Sequence, residues 1–440
     1  MDVTQMGRDE FGGGEAALLE EGAHCGEAEA VGHLRIRLAD RMEAVATMTF
    51  SEARRCVVER VKAARRRPAA GTVALMEAAG RVLASDVRAD RDYPPRARSM
   101  RDGFALRAEE LPGEFVVVGE VRAGQRCEVE VGPGEAVEIM TGAMVPPGAN
   151  AVVMVEQVRV EGARVIVDRV LEKGANVNAQ GCDACAGEVV LRAGRRIGVA
   201  ETALLATVGA VDVEVYERPR VAILATGDEL VEMEGRPEPH QIRNSNSWSL
   251  ALQVAQAGGE AELLGVAPDR LEATEELVGE ALQSDLLLIS GGVSAGKYDV
   301  VEQALARHGA EFYFDRVKLQ PGQPCVFGRA GETFFFGLPG NPASTMVCFE
   351  TLGRAALDLL SGCEEALLPV TRAPLAEPFR HKAGLTRFLP ARLEEDGRLR
   401  PVKWSGSGDV PALARANCLL VADAEKEEYA AGEMIGVLVR

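Results

Sequence analysis

The chain has 440 residues, 47% of them hydrophobic, and its 49 Lys and Arg against 67 Asp and Glu give a formal net charge of -18. This length exceeds one ordinary hydrophobic core, so we expect a globular protein of roughly two to four domains. The acidic balance disfavours general binding to nucleic acid or to anionic membranes. An anionic ligand therefore needs local help from backbone N–H groups, a few cations or a divalent metal.

Nine cysteines are scattered along the chain, several of them in apolar runs where Cys packs as a small core residue. Cys182 and Cys185 form the only CxxC, which is compatible with a redox pair or with half a zinc site. Because no second CxxC or histidine pair completes a metal set, we favour free thiols. No apolar run is long enough to span a bilayer, and the N-terminus lacks a basic stretch followed by a hydrophobic core, so we predict a cytoplasmic protein without a membrane partner.

The N-terminal region is acidic and rich in Gly and Ala, and its only expected regular element is a short helix near residues 34–45. We interpret residues 1–47 as a mobile extension. Ser51 is the expected N-cap of the first helix of the folded protein. A second helix is predicted near residues 73–83.

Between residues 86 and 198, short β-branched runs are cut by Gly and Pro, which is typical of a β-rich module. The runs cover residues 115–118, 151–155, 165–167 and 189–191. Polar clusters at residues 99–105, 139–143 and 181–183 interrupt them. In the first cluster, the Asp102-Gly103 turn is expected to place a carboxylate at a surface cleft, although each cluster alone is also compatible with ordinary turn chemistry.

From residue 220 onward strands and helices alternate, which predicts a doubly wound α/β domain. Strands are expected at 221–224, 261–266, 286–289 and 333–336, and helices at 247–257, 271–282 and 343–360. Such folds bind ligands at the carboxyl ends of their strands, where the loops carry Glu229, Asp269 and Asp299. For Glu229 a structural interpretation also stands, because an acidic residue near a helix start stabilises the helix dipole. After residue 369 short strands return and predict a small C-terminal β-domain.

The stretch DLLLISGGVSAGKYD, residues 285–299, follows a buried strand with a sharp turn. Gly291, Gly292 and Gly296 let the backbone approach a ligand with its N–H groups pointing outward, as phosphate-binding turns do. An anion site is the first interpretation of this turn. A strand-to-helix turn without a ligand is the alternative.

Five motifs occur in order along the chain: SMRDGFA, IMTGAMVPPGANAVV, ATGDEL, SGGVSAGKYD and GLPGNPAST. Together they resemble the molybdopterin molybdenumtransferase family, which includes the bacterial MoeA proteins and the gephyrin E domain. The resemblance runs from residue 49 to residue 440. SGGVSAG alone would also suit molybdopterin adenylyltransferases or competence-damage-inducible amidase relatives, but five motifs in three modules are far more specific.

The resemblance implies a multidomain α/β plus β fold. Its parts are a discontinuous linker and dimerisation domain (48–95 with 188–217), a β-rich inserted module (96–187), a doubly wound α/β molybdopterin-binding domain (218–365) and a C-terminal β-domain (366–440). It also implies an elongated homodimer whose site forms between the α/β domain of one chain and the β-rich module of the other. Other proteins of molybdenum cofactor biosynthesis are further expected partners.

The family reaction, as the resemblance implies it, inserts molybdate into adenylylated molybdopterin and releases AMP, with Mg²⁺ required. By motif match, the expected catalytic residues are Asp102, Thr141, Asp183, Glu229, Asp269 and Asp299. Glu229, Asp269 and Asp299 are also the candidate metal ligands. The expected cofactor-binding residues are Ser290, Gly291, Gly292, Ser294, Gly296, Pro339, Gly340, Pro342 and Ser407.

These residue types suit that chemistry. Mg²⁺ prefers hard oxygens from one or two carboxylates plus substrate phosphates, so an acidic pocket holds an anionic ligand once the metal bridges them. The backbone of residues 291–296 is expected to cradle the phosphate or pterin end. Thr141 is expected to donate a hydrogen bond to an oxyanion.

Several positions depart from the family pattern. Met100-Arg101 precede Asp102, and Phe104 replaces a tyrosine. Asn178, Gln320 and Gln323 stand where the family usually carries arginine and the lysines of Lys-Pro-Gly-Lys. Because charge-assisted contacts to an anion contribute about 1.5–3 kcal/mol against about 1 for neutral ones, anion affinity is expected to fall unless other cations compensate. The candidates next to the motifs are Arg101, Lys297, Arg316 and Lys318.

Two other functions remain open at this point. A catalytically weak molybdopterin-binding scaffold would keep the fold but never release AMP, although retention of the named carboxylates favours an enzyme. A molybdopterin adenylyltransferase would use the same α/β domain, but the β-rich module and the C-terminal domain argue against it.

Overall fold

A capped helix opens the folded part of the chain, which a computed structural model describes at residues 47–268, 270–292 and 300–439. Strand β1 (Met48–Thr49) leads directly into helix α1 (Phe50–Ala64). Thr49 caps this helix: its Oγ1 accepts a hydrogen bond from the N–H of Glu52, and its own N–H donates to the Glu52 carboxylate. The predicted cap at Ser51 is therefore wrong, because the acidic residue needed for a reciprocal capping box lies three positions after Thr49.

The helix predicted near residues 73–83 is also wrong. This segment begins as strand β2 (Ala70–Ala74), continues as a 3₁₀ turn at Leu75–Ala78, and is followed by strand β3 (Val87–Arg88). Strand β2 pairs antiparallel with residues 212–216, and its side chains alternate between half-buried and exposed. The distant strand partner overrides the local helix propensity of the Ala- and Leu-rich segment.

The β-rich module follows as a six-stranded sheet with strand order β8-β5-β7-β6-β10-β9. Its two faces are both apolar: Phe104 and Phe115 lie in one buried cluster, and Ile139 and Val152 in another. The predicted β-runs at 115–118, 151–155 and 165–167 are confirmed. The strands of this region are β4 (Arg98–Ser99), β5 (Gly103–Leu106), β6 (Gly113–Val121), β7 (Glu135–Ile139), β8 (Ala151–Met154), β9 (Arg159–Glu161), β10 (Arg164–Val167) and β11 (Val177–Asn178).

The chain then returns to the strands that precede the module. Strand β12 (Val189–Leu191) pairs with β3, helix α2 (Val199–Thr207) follows, and β13 (Asp212–Tyr216) pairs with β2. The run at 189–191 is thus a strand, but it pairs outside the six-stranded sheet. Arg196 joins this region to the next one through an ion pair with Asp358, 3.0 Å from nitrogen to oxygen.

The α/β region is built on six strands in the order β17-β14-β18-β21-β20-β19. The first four are mutually parallel, and β20 runs antiparallel to both of its neighbours. Its elements are β14 (Arg220–Thr226), β15 (Leu230–Val231), β16 (Ile242–Arg243), α3 (Asn246–Gln256), β17 (Glu260–Ala267), α4 (Leu271–Ala281), β18 (Leu286–Ser290), α5 (Val300–Arg307), β19 (Glu311–Gln320), β20 (Pro324–Ala330), β21 (Thr333–Leu338), α6 (Pro342–Cys348), a π-helical turn (Phe349–Gly353) and α7 (Arg354–Leu360).

Helices cover both faces of this sheet. Leu224 and Ile289 pack with α4 and α5 on one side, in the same cluster as Val278 and Leu305. On the other side α3 packs on β14 and against α6. Successive residues of β18 point to opposite faces, so all five are buried, and the predicted doubly wound domain is confirmed. The helix predicted at 343–360 forms, but the π-helical turn divides it, and strands β19 and β20 were not predicted.

The predicted C-terminal β-domain is also confirmed. Its elements are β22 (Val370–Pro374), β23 (Phe379–Arg380), β24 (Thr386–Leu393), β25 (Leu399–Pro401), α8 (Val410–Arg415), β26 (Cys418–Ala422), β27 (Glu428–Tyr429) and β28 (Met434–Val439). Strand β24 pairs in parallel with the last two residues of β19, which joins this domain to the α/β sheet. Among the described residues, no helix combines the length and apolar character needed to cross a bilayer.

Candidate active site

The carboxyl ends of β14, β18 and β21 meet at one edge of the sheet, which we call the carboxyl edge. Gly291 and Gly292 follow β18 with φ of 92° and 65°, which glycine adopts without strain. A Cβ on Gly291 would lie 2.6 Å from the Thr226 carbonyl oxygen, and one on Gly292 would lie 2.7 Å from Thr226 Oγ1. The N–H of Gly291 donates to the carbonyl of Leu338 at 3.0 Å. Glycine is therefore required here by both backbone conformation and close approach.

The side chain of Asn246 is hydrogen-bonded to two loops at this edge. Its Nδ2 donates to Ser290 Oγ at 2.7 Å and to the Gly340 carbonyl at 2.8 Å, so one amide links the loops after β18 and β21. Asn246 is 9% exposed and Thr226 is 6% exposed. Asn246 Oδ1 and Thr226 Oγ1 are both buried without a hydrogen-bond partner in the described part of the chain. Each unpaired buried group costs about 1–3 kcal/mol, so both atoms would be stabilised by a polar partner from outside the described residues.

Helix α6 begins beside this edge, directly after Gly340. Pro342 is its first residue, and Thr345 Oγ1 donates back to the carbonyl of Pro339 at 2.5 Å. The N–H of Ala343, in the first turn of the helix, donates to the carbonyl of Ser407 at 2.9 Å. Ser407 thus brings the C-terminal domain to the start of α6, and its half-buried side chain lies next to the predicted pocket residues.

Glu229 lies in the loop after β14. Gly227 has φ of 135°, and a Cβ there would lie 2.4 Å from the Glu229 carboxylate, so the side chain folds back over the glycine. Glu229 is exposed and is followed by β15, whereas the next helix begins at Asn246. The helix-dipole interpretation of Glu229 is therefore wrong.

An exposed carboxylate of this kind fits Mg²⁺, which needs only one or two protein oxygens when substrate phosphates supply the rest. The described residues contain no cluster of three or more His, Cys, Asp or Glu that would hold a metal alone. Two of the three candidate metal ligands, Asp269 and Asp299, lie outside the described residues.

The first two polar clusters of the β-rich module meet each other. Asp102 Oδ1 accepts hydrogen bonds from the N–H of Thr141 at 2.6 Å and from Thr141 Oγ1 at 2.9 Å. Both bonds hold the pKa of the exposed Asp102 carboxyl below its usual value, the backbone bond more strongly. The hydroxyl hydrogen of Thr141 is used by Asp102, so the expected donation from Thr141 to an oxyanion is not what the structure shows.

The third cluster lies against the start of the module. The N–H of Asp183 donates to the Tyr93 carbonyl at 2.9 Å, and the Asp183 side chain is exposed. Cys182 Sγ lies 3.6 Å from Asp183 Oδ1, and burial together with this carboxylate raises the pKa of the thiol. Cys182 and Cys185 are both exposed and form no disulfide.

Three family models match the chain in sequence order. They are the MoeA N-terminal region (domain I and II) at residues 48–209, a probable molybdopterin binding domain at residues 222–358, and the MoeA C-terminal region (domain IV) at residues 372–439. The molybdopterin molybdenumtransferase of Bacillus subtilis is 36% identical over 382 residues, which cover 83% of this chain and 89% of that protein. That of Staphylococcus epidermidis is 34% identical over 376 residues, covering 83% and 90%.

The chain belongs to the molybdopterin molybdenumtransferase family. The solved structure of the molybdopterin biosynthesis moeA protein from Pyrococcus horikoshii OT3 agrees, with a TM-score of 0.72, 31% identity, and coverage of 90% of this chain and 100% of that one. Membership makes the protein a transferase of molybdenum cofactor biosynthesis and confirms the resemblance drawn from the five motifs.

The family motifs fall into two groups in space. Ser290, Gly291, Gly292 and Gly340 come together at the carboxyl edge, with Glu229 in the loop after β14. The predicted residues Asp269, Ser294, Gly296 and Asp299, and the compensating candidate Lys297, lie outside the described residues.

Asp102 and Thr141 form the second group, and the exposed Asp183 lies elsewhere in the same module, bonded through its N–H to Tyr93. In the part of the chain that the structure describes, hydrogen bonds and ion pairs of residues 96–187 are made within that module or with the neighbouring residues 88–94 and 188. None of these bonds joins the two groups within one chain.

Sequence reasoning did not single out Asn246, which the structure places at the carboxyl edge. Asn246 is the first residue of α3, in an Asn-Ser-Asn-Ser stretch whose composition indicates only a helix start. The useful signal is that this helix start comes shortly after β16 and faces the carboxyl ends of the parallel strands.

Proposed function

We propose that this protein inserts molybdate into adenylylated molybdopterin and releases AMP in a Mg²⁺-dependent reaction. The observation that carries the proposal is the carboxyl edge, where a Gly291-Gly292 turn lies against two buried polar atoms without partners. Family membership supplies the chemistry for which such an edge is suited. Molybdate and adenylylated molybdopterin are the small-molecule substrates.

Residues of the carboxyl edge would bind and orient the pterin and its phosphates. Backbone N–H groups of the turn after β18, other than that of Gly291, which is bonded to Leu338, would bind phosphate oxygens without requiring a net positive protein. Asn246 fixes the loops through its two donated bonds and keeps Oδ1 available to accept a hydrogen bond from the ligand. Because the site is partly buried, these contacts act where water screens them little.

The carboxylates have a separate task. Glu229, and by family resemblance Asp269 and Asp299, would hold Mg²⁺, which when bound neutralises charge on the phosphoanhydride and polarises it. Asp102 is held ionised by Thr141 and presents a fixed negative charge at the surface of the β-rich module. Such a charge is suited to orienting a water molecule or a bound cation rather than to binding an oxyanion.

We further propose that the protein is a cytoplasmic homodimer. The two groups of site residues are not bonded to each other within the described part of one chain, which favours a site shared between chains. Other proteins of molybdenum cofactor biosynthesis would deliver the substrate or receive the product. Sedimentation as a monomer under conditions that support activity would contradict the shared site.

One specific observation favours a second candidate, a scaffold that binds the ligand without turnover. Asn178 and Gln320 are neutral where the family resemblance led us to expect cations, and Arg101 and Arg316 are exposed. Lys318 lies opposite Thr49, and its charge acts on the Glu52 carboxylate. Weak anion binding would then limit release of AMP.

The test is AMP release from adenylylated molybdopterin with Mg²⁺, with and without molybdate. Molybdate-dependent release by the wild-type protein, abolished by Asp299→Asn, is the expected result. Glu425→Gln is the matched control, because Glu425 is an exposed carboxylate in the C-terminal domain. A folded protein that binds the ligand but releases no AMP would favour the scaffold.

A further inference from the structure

Arg387 lies at the junction between the C-terminal domain and the α/β sheet. It is directly opposite Gln320 in the short parallel pairing of β24 with β19. Its Nη1 donates to Gln320 Oε1, its Nε donates to His381 Nδ1 at 3.1 Å, and its Nη2 donates to the Lys382 carbonyl at 3.1 Å. These bonds hold the guanidinium group in one place without a carboxylate.

The junction lies on the same side of the sheet as the carboxyl edge. Strand β20 runs antiparallel to both β19 and β21, so β19 and β21 point the same way and Gln320 ends its strand on the same side as Leu338. The turn after Gln320 packs on helix α6: a Cβ on Gly322 would lie 2.3 Å from Cys348 Sγ, which itself donates to the Gly322 carbonyl at 3.5 Å. Helix α6 begins at Pro342, immediately after the Gly340-Asn341 loop.

The charge of Arg387 has no carboxylate partner among the described residues. The residue is half-buried, and burial lowers the pKa of its guanidinium, which nevertheless remains protonated at neutral pH. None of the ion pairs among described residues includes it. By contrast, the partly buried Arg196 has the Asp358 carboxylate at 3.0 Å.

The neighbouring His381 does not balance this charge either. Burial and the adjacent Arg387 lower the pKa of His381, which disfavours the charged imidazolium, and His381 Nδ1 lies 3.1 Å from both Arg387 Nε and the Lys382 carbonyl oxygen. Three of the five guanidinium N–H groups of Arg387 are used by these neighbours, which leaves two for a ligand. A desolvated cation with open donors attracts an anion, and a guanidinium matches a tetrahedral oxyanion in geometry as well as in charge.

We propose that Arg387, held by Gln320, forms an oxyanion subsite of the active site. Its ligand is a tetrahedral dianion: either molybdate or a phosphate of adenylylated molybdopterin. The inference rests on the proposed function for the identity of these ligands. It also explains how an acidic chain with neutral Gln320 and Gln323 still binds an anion at this edge, since the cation comes from the next strand.

The test measures binding separately from turnover. Isothermal titration of the full-length protein with molybdate alone, and with adenylylated molybdopterin in the absence of molybdate, is compared for wild type, Arg387→Gln and Arg387→Lys. Arg400→Gln is the matched control, because Arg400 is an exposed arginine of the same domain that pairs with Glu377. Thermal melting checks that each variant is folded.

We expect Arg387→Gln to weaken binding of one ligand about 10-fold, the loss of a charge-assisted contact, with Arg387→Lys intermediate and Arg400→Gln unchanged. Weakening confined to molybdate assigns the subsite to the metal oxyanion, and weakening confined to adenylylated molybdopterin assigns it to a phosphate. Unchanged affinity for both ligands in folded Arg387→Gln would overturn the proposal.

A double substitution that moves the positive charge distinguishes oxyanion binding from a purely structural role of Arg387. Gln320→Lys combined with Arg387→Gln returns a cation to the same place, and we expect affinity to recover to within about threefold of wild type. If Arg387 only joins the two domains, the double variant should bind the ligand as weakly as Arg387→Gln alone, and that result would also overturn the proposal. These titrations need no turnover, so wild-type protein that binds both ligands but releases no AMP would contradict the proposed function alone.

Discussion

The two groups of site residues differ in how far their hydrogen bonds are already satisfied. In the β-rich module, Asp102 and Thr141 bond to each other at an exposed surface, and the pair is complete without a ligand. At the carboxyl edge, Asn246 and Thr226 are buried and each keeps a polar atom without a partner among the described residues. By this comparison the module presents a fixed charge, whereas the edge keeps two buried polar atoms for the ligand that we propose it binds.

The largest expected effect comes from a substitution that disrupts the sheet of the β-rich module. Gly103 begins β5 just after Asp102, and a Cβ there would lie 1.8 Å from the Val153 carbonyl oxygen of the neighbouring strand. Gly103→Ala therefore must separate β5 from β8 and is expected to lower the free energy of unfolding by about 3 kcal/mol or more. Urea unfolding measures the change.

Gly71→Ala is the control for this substitution. Gly71 also lies in a strand, β2, but a Cβ there has nothing within 4 Å. We expect a change within about 0.5 kcal/mol, the usual range for a surface position. Equal stability losses in the two variants would show that close approach is not the reason for glycine at residue 103.

The sequence predicted this part of the molecule well, since the Asp102-Gly103 turn and the flanking β-runs are local signals. The helix expected at 73–83 shows where local signals fail. Leu75, Met76 and Ala78 favour a helix, but pairing with β13, far along the chain, makes residues 70–74 a strand and leaves only one 3₁₀ turn. A partner so distant in sequence is not visible from the segment itself.

A smaller effect is expected at the carboxyl edge. Asn246→Ala removes both donated bonds and leaves Ser290 Oγ and the Gly340 carbonyl without that partner. We expect a loss of about 1–3 kcal/mol in the free energy of unfolding, and weaker binding of adenylylated molybdopterin. Urea unfolding and isothermal titration measure the two quantities.

Asn417→Ala is the matched control for the edge. Asn417 also makes two hydrogen bonds through its side chain, in this case to the backbone of Leu393 in the C-terminal domain. Asn417→Ala should lower the free energy of unfolding by a similar amount while leaving the binding of adenylylated molybdopterin unchanged. If Asn417→Ala weakened binding as much as Asn246→Ala, the effect would be one of general stability.

Asn246 and Arg387 also show why the site could be predicted only in part. The glycine turn and Glu229 carry local motifs, so the sequence places them at strand ends. Asn246 reaches Ser290 and Gly340 across the fold, and Arg387 meets Gln320 through a two-residue pairing between domains. These contacts depend on strand order and register, which no motif encodes.

The smallest effect is expected on the Asp102 carboxyl. Thr141→Val removes the hydroxyl donor but keeps the stronger backbone N–H bond, so the pKa of Asp102 should rise toward its usual value without reaching it. A carboxyl with a depressed folded-state pKa stabilises the protein above its unfolded-state pKa, and this stabilisation is lost as pH falls through the folded-state pKa. In Thr141→Val the loss should therefore occur at higher pH.

Carboxyl-detected NMR titration of Asp102 checks this shift. Thr207→Val is the control, because Thr207 Oγ1 donates to a helix carbonyl rather than to a carboxylate. An unchanged Asp102 titration in Thr141→Val would mean that the hydroxyl bond is not maintained in solution. The module would then present a less rigid charge than its geometry indicates.

The most direct test of the central claim is amide hydrogen exchange of the full-length protein with and without adenylylated molybdopterin. If the carboxyl edge binds the ligand, amides of Gly227, Gly291 and Gly292 exchange more slowly in its presence, while those of the distant strand β2 do not change. Unaltered exchange at these glycines under saturating ligand would contradict the account, because it would place the binding site elsewhere in the protein.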